Sequence, residues 1–423
     1  MRIGFFQRAS FSHHCRWLST HINNKPIFPG VLFFCVHVGL LVIEIADVIK
    51  TSQRYRMKPI IDLVAGARPN FMKLAPVLRA VLKRNELEPR IVHTGQHYDH
   101  GMNDVFFEEL GIPEPHVHLD VGSGSHGAQT ARILERYESH VMKNPPAASV
   151  VFGDVNSTVA CALAAVKLGV PIVHVEAGLR SFDRTMPEEI NRLLTDAMAA
   201  LLLVSEPSGL VNLHREGVEE GKVKFVGNVM IDTLVHELPF AERSSILDRL
   251  NLAGREYALM TMHRPSNVDD PRILKGLLEV TAELAKKIPV IFPAHPRTRK
   301  AMEQSGLWNR FFGKSDLLFV EPVPYRDNLC LIGKARLVLT DSGGMQEETT
   351  FLKVPCLTLR VNTERPVTVR KGTSRLVGNE PDRIRNAFED VLAGRWPAGE
   401  DIELWDGRAS DRVAKELAVW MKI

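Results

Sequence analysis

The strongest constraint on this chain is a repeated grammar: short runs that are apolar on both faces, each followed by a stretch with helical spacing. IIDLVAG is followed by a helical pattern around residues 73–83, RIVHTG comes next, and ASVVFGD is followed by a helix over 159–168. PIVHVEAG, ALLLVSE and KVKFVGN complete the first set. Runs of this kind belong inside a parallel sheet with helices on both faces. A polar stretch at about 239–256 interrupts the pattern, which resumes with YALMTMH, a helix over 272–287, PVIFPAH, DLLFVE, RLVLTDSGG and PCLTL. The expected class is therefore α/β, with two doubly wound domains and a cleft between them. The first covers 58–235 and the second 236–405, and an amphipathic segment in 406–423 is expected to form a helix packing back across both. A length of 423 residues fits that count at roughly 150 residues per domain.

Charge and cysteine content exclude several function classes. Residues 1–57 hold Arg2, Arg8, Arg16, Lys25, Lys50, Arg54 and Arg56 against Glu44 and Asp47, so the net +3 of the whole chain leaves the remaining body slightly acidic. A nucleic-acid partner is not expected for such a body. Cys15, Cys35, Cys161, Cys330 and Cys356 are scattered with no CxxC pair, which argues against a disulfide framework or a zinc knuckle. Residues 26–43 carry no Asp, Glu, Lys or Arg. Three readings of residues 1–57 stand open: a signal anchor, a transit peptide, or read-through upstream of a true start at Met57. The last is the expectation, because the strand and helix grammar begins at Lys58 without using anything before it. The segment is then not expected to pack on the body, and no membrane partner is expected for the body itself.

In doubly wound sheets the chemistry lies just past the strand ends. There the sequence places Arg68 and Lys73, Asp154 in GDVNST, Glu176 before Gly178 and Arg180, Glu188 in MPEEINR, and His263 with Arg264. After RLVLT come Asp341 and then Ser342, Gly343 and Gly344. A strand followed by small residues and a helix start offers free backbone N–H groups and the positive dipole end to a phosphate. Arg68 and Lys73 supply positive charge at the equivalent place in the other domain, and Glu348, one turn beyond Gly344, is placed to accept the hydroxyls of a ribose. Asp154, Glu176, Glu188 and His263 are then the groups that can exchange protons in the cleft. Each alone has an ordinary reading, Asp154 as a helix cap and Glu188 as a dipole partner. Neither GxxxxGK[ST] nor a strand-following GxGxxG occurs, which disfavours an ATPase or a dehydrogenase. His93, His97, Asp99, His100, His116 and His118 lie on strand and loop patterns, so no metal site is expected.

GARPNFMK, GQHYD, GDVNST, HVEAGLRS, MPEEINR, HRPSN, TDSGGMQEE and NTERP occur in this order. Together they resemble the non-hydrolysing UDP-N-acetylglucosamine 2-epimerases over essentially all of 58–390. The resemblance implies the GT-B fold, two Rossmann-like domains with UDP held between them and the second domain as its main binder. It implies interconversion of UDP-N-acetylglucosamine and UDP-N-acetylmannosamine with no cofactor, by loss of UDP, a 2-acetamidoglucal intermediate and re-addition. By similarity, Asp154, Glu176 and Glu188 are the acid/base candidates, and His263 lies at the diphosphate. Arg68, Lys73, Ser342, Gly343 and Gly344 hold phosphates, Glu348 the ribose, and Gln129 and Arg365 the sugar and its surroundings. Many members carry Glu where this chain has Asn70. A UDP-sugar partner, a homodimer and a cytoplasmic location are the accompanying expectations. A GT-B glycosyltransferase, a relative that hydrolyses its UDP-sugar, and a catalytically silent UDP-sugar sensor are the competing readings.

Overall fold

A computed structural model describes residues 58–96, 107–313 and 316–423. The expectations for residues 1–57, and those for His97, Asp99 and His100, lie outside the described residues. Seven strands form the first sheet: β1 (Ile60–Ala65), β2 (Glu88–His93), β3 (Val117–His118), β4 (Ala148–Phe152), β5 (Ile172–Ala177), β6 (Leu201–Val204) and β7 (Val223–Phe225). Their order is β3-β2-β1-β4-β5-β6-β7, and the pairings are parallel. The second sheet contains β8 (Ala258–Thr261), β9 (Val290–Pro293), β10 (Leu317–Val320), β11 (Leu337–Thr340), β12 (Cys356–Thr358) and β13 (Ser374–Leu376). It is also parallel, in the order β10-β9-β8-β11-β12-β13. In each sheet the order reverses beside the first strand, between β1 and β4 and between β8 and β11. Those reversals open a crevice at the strand carboxyl ends.

Helices begin earlier than the apolar periodicity alone suggests. The helix expected near 73–83 spans Arg68–Arg84, because Pro69 suits its first turn and only Gly66 and Ala67 separate it from β1. The helix expected from 159 begins at Asn156, and the helix that carries Gln129 begins at His126. The first of these opens with polar residues that carry buried hydrogen bonds: Thr158 Oγ1 donates to the Phe152 carbonyl at 2.8 Å and Ser157 Oγ to Gln96 Oε1 at 2.7 Å. Periodicity sees only the apolar face, so it starts counting a turn late.

Residues Pro59–Ile423 form one unit. A single apolar cluster runs from Leu63, Phe71 and Leu74 through Val229 and Leu234 to Leu259, Leu329 and Val338, so one core is shared by the two sheets. The outer face of each sheet buries its own cluster, around Ile133 and Leu202 in the first half and Leu278 and Phe388 in the second. Helix Val229–Ala241 continues through Pro239 into the stretch read as polar, and makes the crossing between halves. The last helix, Ala409–Trp420, packs on helices Arg68–Arg84 and Val229–Ala241. Its first turn is fixed by Asp232, whose carboxylate accepts from the Ala409 and Ser410 N–H groups at 3.0 and 2.6 Å. A second tie crosses the halves, where the Glu109 carboxylate accepts from the Tyr325 N–H at 3.1 Å and the Glu109 carbonyl accepts from Arg326 at 2.7 Å.

Candidate active site

The carboxyl ends of β4 and β5 lie beside helix Arg68–Arg84, and three expected residues meet there. Lys73 Nζ lies 2.7 Å from Glu176 Oε1, with both side chains almost fully buried. Gly153 makes that contact possible: it has φ +60°, and a Cβ on it would stand 2.5 Å from Lys73 Nζ. Glu176 itself has φ +74°, a strained conformation for a side chain at a strand end. Asp154 does not cap the helix after it, since the cap position is Val155 with no side-chain bond. Its carboxylate instead pairs with Arg192, the last residue of MPEEINR, which also lies 3.0 Å from Glu189. Glu189 instead fastens the loop before its own helix, accepting from the Ser181 and Phe182 N–H groups at 2.8 and 3.0 Å.

From the second half Arg365 reaches into this cluster. Its guanidinium lies 3.2 Å from Glu176, 2.9 Å from Glu364 and 2.7 Å from Glu347. Glu364 in turn lies 2.8 Å from Arg360, 3.9 Å from Arg192 and 3.8 Å from Arg264, and Arg264 lies 3.8 Å from Glu188. Asn228 donates to Glu347 at 2.9 Å. Asp154, Glu176 and Glu188 are therefore joined through shared cations. The glycine turn belongs to the same cluster, because a Cβ on Gly343 would stand 2.8 Å from Arg365 Nη1 and 2.9 Å from Glu364 Oε1.

Burial and charge act against each other throughout the seam. Burial pushes Glu364 up, but Arg365, Arg360, Arg192 and Arg264 together hold it well below the usual carboxylate range. Asp154 is likewise depressed, Arg192, Lys73 and Arg365 outweighing its burial. Burial raises Glu347, Glu176 adds to the rise, and Arg365 opposes it. Burial also raises Glu348 to about 7, with Glu347 adding to the rise against the Tyr325 hydroxyl and Arg68. The two Glu176 oxygens differ, because Oε1 takes both Lys73 and Arg365 while the buried Oε2 accepts no hydrogen bond among the described residues.

His263 stands half-exposed past β8, held by Asp341. That carboxylate accepts the His263 and Arg264 N–H groups at 2.9 and 2.8 Å and lies 3.1 Å from His263 Nδ1. The contact assigns a proton to Nδ1 and leaves Nε2 for a ligand. Ser342, Gly343 and Gly344 open the helix Gly343–Phe351, and Arg68 faces Glu109, Glu348 and Tyr325. Gln129 is the expected residue that the cluster does not include. Its amide donates to the Gln96 and Gly122 carbonyls at 3.1 and 3.0 Å and accepts from Asn156 at 2.9 Å. Among the described residues it reaches the Asp154 turn through Asn156 and Asn191. Asn70 ties β1 to β4, donating to the Phe152 carbonyl at 2.8 Å and accepting from Gly66 and Ala67. A carboxylate could accept there but could not donate to Phe152. Among the described residues no His, Cys, Asp or Glu group of metal-binding geometry occurs, and His116 and His118 are engaged by Ile91 and Glu114.

Arg192, Arg264, Glu347 and Glu364 were not singled out in the sequence as site residues. All four lie inside quoted motifs next to or near chosen residues, so the motifs marked the place but not the partners.

Two like-ordered parallel sheets with buried carboxylates and a glycine turn at their seam define the GT-B architecture. Residues 79–418 match the family model described as UDP-N-acetylglucosamine 2-epimerase. A UDP-N-acetylglucosamine 2-epimerase homolog of Methanococcus maripaludis is 46% identical over 358 residues, covering 84% of this chain and 98% of that protein. The UDP-2,3-diacetamido-2,3-dideoxy-D-glucuronate 2-epimerase of Pseudomonas aeruginosa is 41% identical over 360 residues, with 84% and 98% covered. The crystal structure of Methanocaldococcus jannaschii UDP-GlcNAc 2-epimerase in complex with UDP-GlcNAc and UDP superposes with a TM-score of 0.79 at 40% identity, covering 85% of this chain and 99% of that one. The chain belongs to the UDP-N-acetylglucosamine 2-epimerase family, and it is an isomerase.

Proposed function

We infer that the protein interconverts UDP-N-acetylglucosamine and UDP-N-acetylmannosamine without releasing free sugar. The observation that carries this reading is the junction of Asp154, Glu176 and Glu188 around Arg365, Glu364 and Arg264, beside the turn at Gly343. Inversion at C2 needs one group to take a proton from one face and another to return it to the opposite face. A buried Oε2 without a hydrogen-bond partner costs about 1–3 kcal/mol unless a ligand meets it, which favours Glu176 as one of these groups. As the C2–H bond breaks, its electron pair forms the C1–C2 double bond and the C1–O bond cleaves, releasing UDP as the anion. Lys73, Arg68 and the Ser342–Gly344 turn hold its charge, and His263, in its doubly protonated form held by Asp341, is placed to donate from Nε2 to the departing phosphate oxygen. Re-protonation at C2 from the other face, with return of the phosphate oxygen to C1, completes the inversion. Gln129 supports the Asp154 turn from behind, and Arg365 orients Glu176 next to the sugar. A homodimer in the cytoplasm goes with this reading. No helix among the described residues is long and apolar enough to cross a membrane.

Incubation with UDP-N-acetylglucosamine in deuterated water, followed by NMR, tests the assignment. Deuterium at C2 and UDP-N-acetylmannosamine as product are expected. Free N-acetylmannosamine would mean hydrolysis, and unchanged substrate would leave a transferase or a sensor. The diacetamido uronate substrate named for the Pseudomonas relative is run beside it, because the two sugars share the C2 inversion and differ at C3 and C6.

Glu348 gives a second test. With its carboxyl at about 7 in the unliganded protein, ribose hydroxyls that donate to it select the ionised form. Binding of UDP then releases a proton below that pH. The dissociation constant is expected to rise about tenfold per unit as pH falls below 7 and to level off above it. Calorimetry on Glu348→Gln, compared with the parent, separates this slope from titration of UDP itself. Equal slopes in both proteins would remove Glu348 from the nucleoside site.

A further inference from the structure

The fully buried His174 sits on β5 two residues before Glu176, just ahead of the register shift between Val175 and Ala177. Nδ1 lies 2.6 Å from Asp196 Oδ1, and Nε2 lies 2.8 Å from the carbonyl oxygen of Gly153. Neither the carboxylate nor the carbonyl can donate, so each ring nitrogen must carry a proton. The positive ring is embedded in an alternating series of charges. Arg180 lies 2.7 Å from Asp196 and bonds Glu216 through two nitrogens at 2.8 and 2.7 Å. Asp196 also accepts the Gly178 N–H at 3.0 Å. Burial pushes Asp196 up, but His174 and Arg180 hold it below its ordinary value.

We propose that His174 is a positioning residue for the epimerisation, gripping the Gly153 carbonyl so that the left-handed turn presents Asp154 to the sugar and keeps room for Lys73 beside Glu176. The proposal rests on the role given to Asp154 above. The turn has φ +60° at Gly153 and is otherwise held by the Val175 carbonyl, which accepts the Gly153 N–H at 3.0 Å, and by Asn191, which donates to the Asp154 carbonyl at 2.9 Å. His174 supplies the one charged contact among these three, and it acts on the peptide that leads directly into Asp154. Asp196 belongs to the same device: its other oxygen fixes Gly178, just past Glu176. The His174 and Asp196 pair therefore ties the turns after β4 and β5 together, and with them the spacing of the two candidate acid/base groups.

Wild-type protein with ¹⁵N-labelled histidine rings provides the first readout. The most exchange-protected ring is expected to show directly bonded protons on both nitrogens, and a single protonated nitrogen would overturn the proposal. His174→Gln and Asp196→Asn provide the second, assayed by C2 deuterium incorporation and by UDP calorimetry. A loss of about 10- to 100-fold in kcat, with KM and the UDP dissociation constant within about threefold of the parent, is expected. An unchanged kcat in a folded variant, or kcat and UDP affinity falling together, would overturn it. If neither variant folds, the ring-proton readout on the wild type decides. Failure of Asp154→Asn to affect turnover would count against the role of Asp154, leaving the ring-proton result as it stands.

Discussion

Asp154→Asn is expected to lower kcat by about 10²- to 10⁴-fold, the range supplied by a positioned acid/base group, while UDP affinity stays within about threefold of the parent. Asn has the same shape but can neither accept nor return a proton at neutral pH. The fold should tolerate the change, because Arg192 keeps Glu189 at 3.0 Å and Glu364 at 3.9 Å when the Asp154 charge is gone. UDP affinity should hold because the glycine turn, His263 and Glu348 lie on the second half, away from the substituted side chain. The readouts are C2 deuterium incorporation for turnover and calorimetry for UDP. Full activity in Asp154→Asn would take it out of the proton chemistry and leave Glu176 and Glu188 as the pair.

Arg365→Met should be the most damaging single change to the fold, at about 3–5 kcal/mol, the cost of removing one partner from a buried ion cluster. Arg365 is the cation that touches Glu176, Glu347 and Glu364 together, and those carboxylates raise its own pKa well above the ordinary value despite burial. Its loss leaves Glu347 and Glu176, which already oppose each other's charge, without their common counter-ion. Urea titration at neutral pH measures the loss, and the same titration at low pH provides the control. Protonation of the carboxylates removes the charges that Arg365 neutralises, so the difference between variant and parent should shrink on acidification. An equal destabilisation at both pH values would mean that packing, not charge, accounts for the effect.

The sequence was most informative about where strands end. Doubly apolar runs could only be interior parallel strands, and that fixed the ends of β1, β4, β5, β8 and β11 closely enough to place Lys73, Asp154, Glu176, His263 and the Ser342–Gly344 turn at one crevice. Helix starts were less legible. First turns such as 156–158 are polar and buried, bonded to other loops instead of to an apolar face. Gln129 shows the same limit, since its bonds to Gln96 and Asn156 are set by loops far away in the chain.

By itself, then, the sequence determined the two sheets, the phosphate-suited turn and the identity of the proton-exchanging candidates, because these depend on local pattern: apolar on both faces, small residues before a helix, charge just beyond a strand. The tertiary structure alone decided which charges neutralise which. Lys73 meets Glu176 across 103 residues and Arg365 meets it across 189. Glu189 fastens the loop before its helix while Asp154 does not cap its own, and His174, a buried strand residue in pattern, holds two acceptors at once. Such pairings carry no local signature, because an ion pair is fixed by where two strand ends meet in space and by the burial that makes each charge need its partner.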